Sequence, residues 1–228
     1  MPDFVIPPPP VVSIPVEGGG RFPVRRIFCV GRNYAAHARE MGHDPDREAP
    51  FFFCKPADSL VTEGADMPYP TMTSDLHHEM ELVVGLKAGG VDIAETDAMA
   101  CVWGYAAGLD MTRRDLQAEA KKAGRPWDMA KGFDHSAPIG PMVPASALAD
   151  PGHGLIELKV NGEVRQSSDL SFLIWSIPET IAYLSRLVRL EAGDLIFTGT
   201  PEGVAAARRG DVLEGVVAGV GTVRTRLV

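Results

Sequence analysis

The chain has 228 residues, 45% of them hydrophobic and 23% charged, and carries a net charge of −8. That length suits one well-buried domain and is short for two, and the composition is that of a globular protein rather than a disordered one. No basic cluster longer than a pair such as Arg113-Arg114 or Lys121-Lys122 occurs, so nucleic-acid binding lacks an electrostatic footprint, and no apolar run approaches the length of a membrane span.

Residues 1–23 form a distinct opening, with four prolines at 7–10 and three glycines at 18–20. This composition predicts an extended arm rather than a folding unit. No basic stretch leads into an apolar one there, so no signal peptide is expected. Cys29, Cys54 and Cys101 are odd in number and form no C-x-x-C pair. They read as reduced thiols in a reducing compartment, and the cytoplasm is the expected location.

The domain is expected to occupy 24–228. Arg26-Ile27-Phe28-Cys29-Val30-Gly31 reads as a buried strand ending at a glycine. A short helical pattern follows over 34–41, closed by Gly42. Phe51-Phe52-Phe53-Cys54 predicts a second strand, ended by Lys55-Pro56. Residues 79–86 are strand-like, and 99–109 read as helix entering strand. The stretch 112–123 is rich in helix formers and stops at Gly124. Asn161-Gly162 between alternating runs signals a tight hairpin turn. Residues 177–190 predict the best helix, with Pro178 near its start. Residues 195–198 predict a strand, and the tail from 211 alternates as further strands. The sum is an α+β domain, mostly β, in which helices cover a strongly bent sheet.

An acidic protein acting on an anion must create local positive potential with a metal and a few placed cations. In His77-His78-Glu79-Met80-Glu81-Leu82, a strand would send Glu79 and Glu81 to one face. Two like charges there repel, and a hard divalent cation would relieve them; carboxylate-only ligation favours Mg²⁺, Mn²⁺ or Ca²⁺ over Zn²⁺. Two solvated glutamates on an exposed face would look the same. Asp110 stands where strand gives way to helix, as a third ligand or as a helix N-cap. His37 and Glu40 are helical neighbours at i and i+3, forming either a water-activating base or an ordinary surface pair. Thr198-Gly199-Thr200-Pro201 offers backbone N–H groups and a hydroxyl to a carboxylate, or is simply a turn. Lys131 is a lone cation in an apolar setting, an anion clamp or catalytic acid if it is not a solvated loop lysine.

The joint order of these pieces resembles the fumarylacetoacetate hydrolase family, in particular its shorter bacterial members that cleave acylpyruvates. The resemblance rests on Val30-Gly31-Arg32-Asn33-Tyr34-Ala35-Ala36-His37, Lys55-Pro56, Glu79 with Glu81, Gly108-Leu109-Asp110, Arg114-Asp115-Leu116-Gln117, Lys131-Gly132-Phe133-Asp134 and Thr198-Gly199-Thr200-Pro201-Glu202-Gly203-Val204. The opening arm with Arg21-Phe22-Pro23-Val24-Arg25-Arg26 is most similar to the fumarylpyruvate-cleaving members of gentisate breakdown. The resemblance implies metal ligands at Glu79, Glu81 and Asp110, a water-activating dyad of His37 and Glu40 on a mobile lid, and Lys131 facing the substrate. It further implies substrate contacts at Gln117 and Thr200 and, more weakly, at Arg32, Lys55 and Arg114. The implied fold is a mostly β domain with a rolled, barrel-like sheet, usually a homodimer. The implied reaction is Mg²⁺-assisted hydrolysis of a carbon–carbon bond in a small 2-oxo acid. Oxaloacetate decarboxylation and isomerisation of 2-hydroxydienoates use the same metal chemistry and compete as readings.

Overall fold

A computed structural model describes residues 4–35 and 48–228. The predicted helix over 34–41 falls outside them beyond Ala35, and so do His37 and Glu40. The strands in chain order are β1 (Ser13–Pro15), β2 (Arg21–Pro23), β3 (Arg26–Gly31), β4 (Phe51–Lys55), β5 (Leu60–Val61), β6 (Leu76–His77), β7 (Met80–Leu86) and β8 (Val102–Leu109). They continue as β9 (Thr112–Arg113), β10 (Ala137–Pro138), β11 (Val143–Pro144), β12 (Leu155–Val160), β13 (Glu163–Asp169), β14 (Asp194–Phe197), β15 (Ala206–Ala207), β16 (Val212–Val217) and β17 (Gly221–Arg226). The described α-helices are α1 (Glu95–Ala98), α2 (Arg114–Lys122), α3 (Asp128–Lys131) and α4 (Ile177–Leu187).

The central sheet has the order β11-β8-β7-β14-β3-β4. β14 and β3 run parallel, and the other neighbours pair antiparallel. Both faces of this sheet are covered. Side-chain alternation sends Phe28, Val30, Met80, Leu82, Val84 and Ile196 into one apolar cluster. It sends Ile27, Cys29, Val83, Leu195 and Phe197 into a second. Strands buried on both faces read as continuous apolar runs, which is why Ile27-Phe28-Cys29-Val30 and Leu82-Val83-Val84 show no polar alternation. The antiparallel sheet β13-β12-β16-β17 contributes Ile156, Leu158, Leu213, Val217 and Val223 to the first cluster. The two sheets thus share one core, and among the described residues they do not close into a barrel.

The Asn161-Gly162 signal is realised as the β12–β13 hairpin, with both residues at positive φ (53° and 82°), the backbone twist that a two-residue hairpin needs. Helix α4 begins where Glu179 Oε2 accepts from the Ser176 N–H at 3.0 Å and the Ser176 hydroxyl at 2.7 Å. It buries Ile177, Ile181 and Leu184, one apolar stripe. It stops at Leu187 instead of 190, because Val188 turns extended as the chain heads for β14. α2 likewise starts later than propensity predicts: Thr112 and Arg113 pair with β6 as a strand, so tertiary pairing overrides helix preference there.

The opening stretch is more than a tether. β1 and β2 form a hairpin whose Ile14 (0% exposed) and Phe22 (5%) join the second apolar cluster. The described cysteines form no disulfide, with Cys29 and Cys101 buried and Cys54 exposed. No helix among the described residues is long and apolar enough to cross a membrane. Ile14→Ala is expected to lower the unfolding free energy by about 2–5 kcal/mol, as deleting a fully buried aliphatic side chain does. Urea unfolding measures it, and a loss under about 0.5 kcal/mol would show that the hairpin does not contribute to the core.

Candidate active site

The β7–β8 ladder places the acids. Met80 pairs with Leu109, and the Asp110 N–H donates to the Glu79 carbonyl at 2.8 Å, so the ladder runs one step beyond the strand ends and sets Asp110 beside Glu79. Glu81 on β7 and Glu79, the residue just before it, turn to one side, opposite Met80 and Leu82, as their spacing predicts. Carboxylate oxygens of Glu79, Glu81 and Asp110 lie within 4.8 Å of one another. All three residues are buried, at 5%, 1% and 0% exposure. Asp110 is not a helix cap, since α2 starts only at Arg114, after β9.

Such a cluster demands compensation. Lys131 Nζ donates to Glu79 Oε2 at 2.7 Å and to Asp110 Oδ2 at 2.8 Å. Burial acts to lower its pKa, but Asp110 and Glu79 outweigh that and raise it. Arg114 donates to Glu79 Oε1 at 2.5 Å and to Gln117 Oε1 at 2.6 Å. Lys55 Nζ lies 2.8 Å from Asp110 Oδ1 and donates to the Met111 carbonyl at 3.1 Å and to the Lys131 carbonyl. Glu81 Oε2 accepts the Gly199 N–H at 2.8 Å. Burial, then Asp110 and Glu79, push the Glu81 carboxyl well above the usual range.

These residues fit a hard divalent cation. The donors are all carboxylate oxygens at close quarters, and a positive group, the Lys131 ammonium, already lies between two of them. The adjoining cleft is lined by Arg32, Phe51, Phe53, Glu79, Glu81, Arg114, Gln117, Trp127, Lys131 and Thr200. Lys55, expected as a substrate contact, is buried, donates to two backbone carbonyls and lies at ion-pair distance from Asp110. It serves as a counter-charge to Asp110 in this arrangement.

Gly199, at φ +102°, turns its N–H onto Glu81 rather than outward. Thr200 Oγ1 accepts from Gln166 Nε2 at 2.8 Å, which leaves the Thr200 hydroxyl proton free to donate. Gln166 was not singled out by its sequence context, because its partners are 34 to 88 residues away. It sits on β13, is 1% exposed, and spends its whole amide: Oε1 accepts from the Met80 N–H (3.0 Å) and His78 Nδ1 (3.1 Å), while Nε2 reaches Thr200 and the Pro201 carbonyl (2.9 Å). The amide orientation follows from its backbone partners, one a donor and one an acceptor. His78 Nδ1 therefore carries the proton.

Gln166→Leu would strand the Met80 N–H, the Pro201 carbonyl and the Thr200 hydroxyl at once. Each buried unpaired group costs about 1–3 kcal/mol, so the variant is expected to lose about 3 kcal/mol of stability. Thermal unfolding tests this, and a melting temperature equal to that of the parent would mean that the network is not coupled to folding.

Residues 26–228 match the family described as fumarylacetoacetate (FAA) hydrolase C-terminal. Among curated proteins, the chain is 45% identical over 203 residues to oxaloacetate tautomerase FAHD1, mitochondrial, of Rattus norvegicus, covering 89% of this chain and 91% of that one. Among solved structures, fumarylpyruvate hydrolase from Pseudomonas aeruginosa, in complex with Mn²⁺ and pyruvate, is 53% identical with a TM-score of 0.96, covering 99% of each chain. The 5-carboxymethyl-2-hydroxymuconate delta-isomerase from Mycobacterium smegmatis is 33% identical with a TM-score of 0.81, covering 96% of this chain and 82% of that one. Taken with the acidic cluster and its cations, these likenesses establish that the chain is an enzyme and belongs to the fumarylacetoacetate hydrolase family.

Proposed function

We propose that this chain, as a homodimer, hydrolyses the carbon–carbon bond of an acylpyruvate, with fumarylpyruvate giving fumarate and pyruvate in aromatic-ring catabolism. The observation that carries the reading is the triad Glu79, Glu81 and Asp110, whose Glu79 contacts Lys131 and Arg114 and, with Glu81, lines the cleft. Support comes from the Pseudomonas aeruginosa hydrolase, 53% identical and bound to Mn²⁺ and pyruvate. Glu79, Glu81 and Asp110 would hold the cation, with Mg²⁺ or Mn²⁺ preferred and Ca²⁺ as the less favoured option. When bound, the ion supplies charge for chelating a 2-oxo acid and stabilising an enolate.

The protein's own groups do the rest. Thr200, whose oxygen is already engaged by Gln166, can donate its proton to a substrate carboxylate or carbonyl oxygen. Gln117, oriented by Arg114, offers an amide to the same end of the substrate. His37, assisted by Glu40, takes a proton from water; both lie outside the described residues. The water oxygen bonds to the distal carbonyl carbon. The bond to the methylene then breaks, its electron pair passing into the pyruvate enolate. Lys131 balances that charge, and protonation of the methylene completes pyruvate while the acyl group leaves as a carboxylate.

The 45% identity to an oxaloacetate tautomerase favours a second reading, in which the same cluster handles an enolate without any attacking water. One experiment separates them. Loss of ultraviolet absorbance from a panel of acylpyruvates and from enol-oxaloacetate is followed in wild type and His37→Ala, with chelator and after adding back Mg²⁺ or Mn²⁺. Chelation is expected to abolish all turnover and either ion to restore it. His37→Ala should cost cleavage about two to four orders of magnitude, the usual worth of a general base, and oxaloacetate turnover much less. Equal losses would contradict a dedicated water base, and full activity after exhaustive chelation would overturn the metal assignment.

A further inference from the structure

The cleft has a continuation that the acidic cluster does not use. Arg32, Phe51, Phe53 and Trp127 line the cleft at the carboxylates and also a second hollow of about 560 Å³ that opens outward from it. The hollow is completed by Phe52, Cys54, Arg125, Pro126 and Asp128. Its aromatic walls pack on one another. Trp127 meets Phe51 edge-on at 5.3 Å and Phe53 at 6.0 Å, and the Arg32 guanidinium stacks over Phe51 at 5.3 Å.

Arg125 stands in the short connection between α2 and α3, anchored by its backbone N–H to the Ala120 carbonyl at 2.8 Å. Its side chain is exposed and makes no hydrogen bond or ion pair among the described residues. The same holds for the Arg32 guanidinium apart from its ring stack. Among the described residues that line the hollow, two arginines face one acid, Asp128, and this part of its wall is positive in a chain whose net charge is −8. Guanidinium forks that answer no internal acid among the described residues, set among aromatic faces, suit a planar carboxylate.

We propose that this hollow is a subsite for a second carboxylate at the far end of the substrate, with Arg125 as its principal contact and Arg32 as its partner. The proposal rests on the acylpyruvate reading and sharpens it: the substrate class is a dioxo dicarboxylate, with its pyruvyl end at the acidic cluster and its distal carboxylate between the two arginines. The connection carrying Arg125 leads directly into α3, which ends at Lys131, so recognition of the far end and charge handling at the reacting end lie on one short stretch of chain.

The test compares fumarylpyruvate with acetylpyruvate, which lacks the distal carboxylate, in wild type, Arg125→Leu and Arg125→Lys. Because Arg125 is exposed, folding is not at stake. Wild type is expected to prefer fumarylpyruvate, and Arg125→Leu to lower its kcat/KM about 10- to 100-fold, the worth of a charge-assisted contact. The loss should appear chiefly in KM, so that the preference over acetylpyruvate collapses, with Arg125→Lys retaining part of it. Equal fractional losses on both substrates, or an unaltered preference, would overturn the subsite while leaving carbon–carbon hydrolysis intact. Failure of wild type to cleave either acylpyruvate would overturn the hydrolase reading, and the subsite with it.

Discussion

Three carboxylates held within 4.8 Å of one another in a buried site constitute the constraint to which the rest of this structure responds. Burying one unpaired charge is costly, and burying three of one sign costs more. The protein meets this with cations drawn from distant parts of the chain: Lys55 from β4, Arg114 from the start of α2 and Lys131 from the end of α3. Glu81 is held by a backbone N–H, while burial and the neighbouring Asp110 and Glu79 push its carboxyl above the usual range. A cluster of this kind is stabilised further by a divalent cation, and the same positive surroundings suit an anionic substrate.

The scaffold makes this arrangement rigid from both sides. The central sheet is packed on two faces, so the β7–β8 register cannot slip without exposing an apolar row. Gln166 then ties the second sheet to β7 and to the turn holding Thr200. A site anchored in this way suits the charge handling of an enolate. The relatives illustrate the point, since a tautomerase, a hydrolase and an isomerase share this fold. What separates such activities must lie in the parts added to the cluster: a base that activates water, and the groups that recognise the far end of the substrate.

Much of this was legible in the chain itself, and the reasons are specific. Glu79 and Glu81 could be placed on one face because a strand's period is two, and the Asn161-Gly162 turn could be read because its dihedrals demand those residues. The local signals for Asp110 and Lys131 were ambiguous, since neither reveals which distant groups it meets. Lys55 is a further case, since the groups around its ammonium come from residues 110, 111 and 131. Gln166 and Arg125 carry no local signature at all, for one acts through a folded hydrogen-bond network and the other through the wall of a hollow. The opening arm looked like a tether from its prolines and glycines, yet Ile14 and Phe22 are buried in the core.

The claim on which the account turns is that water attacks the distal carbonyl of an acylpyruvate held at this cluster. Turnover of fumarylpyruvate in ¹⁸O-labelled water, with the acid product examined by mass spectrometry, tests it most directly. The fumarate is expected to carry one heavy oxygen in its newly formed carboxylate, in stoichiometry with pyruvate. Substrate consumed without labelled fumarate, whether by enol–keto interconversion or by release of carbon dioxide, would contradict it.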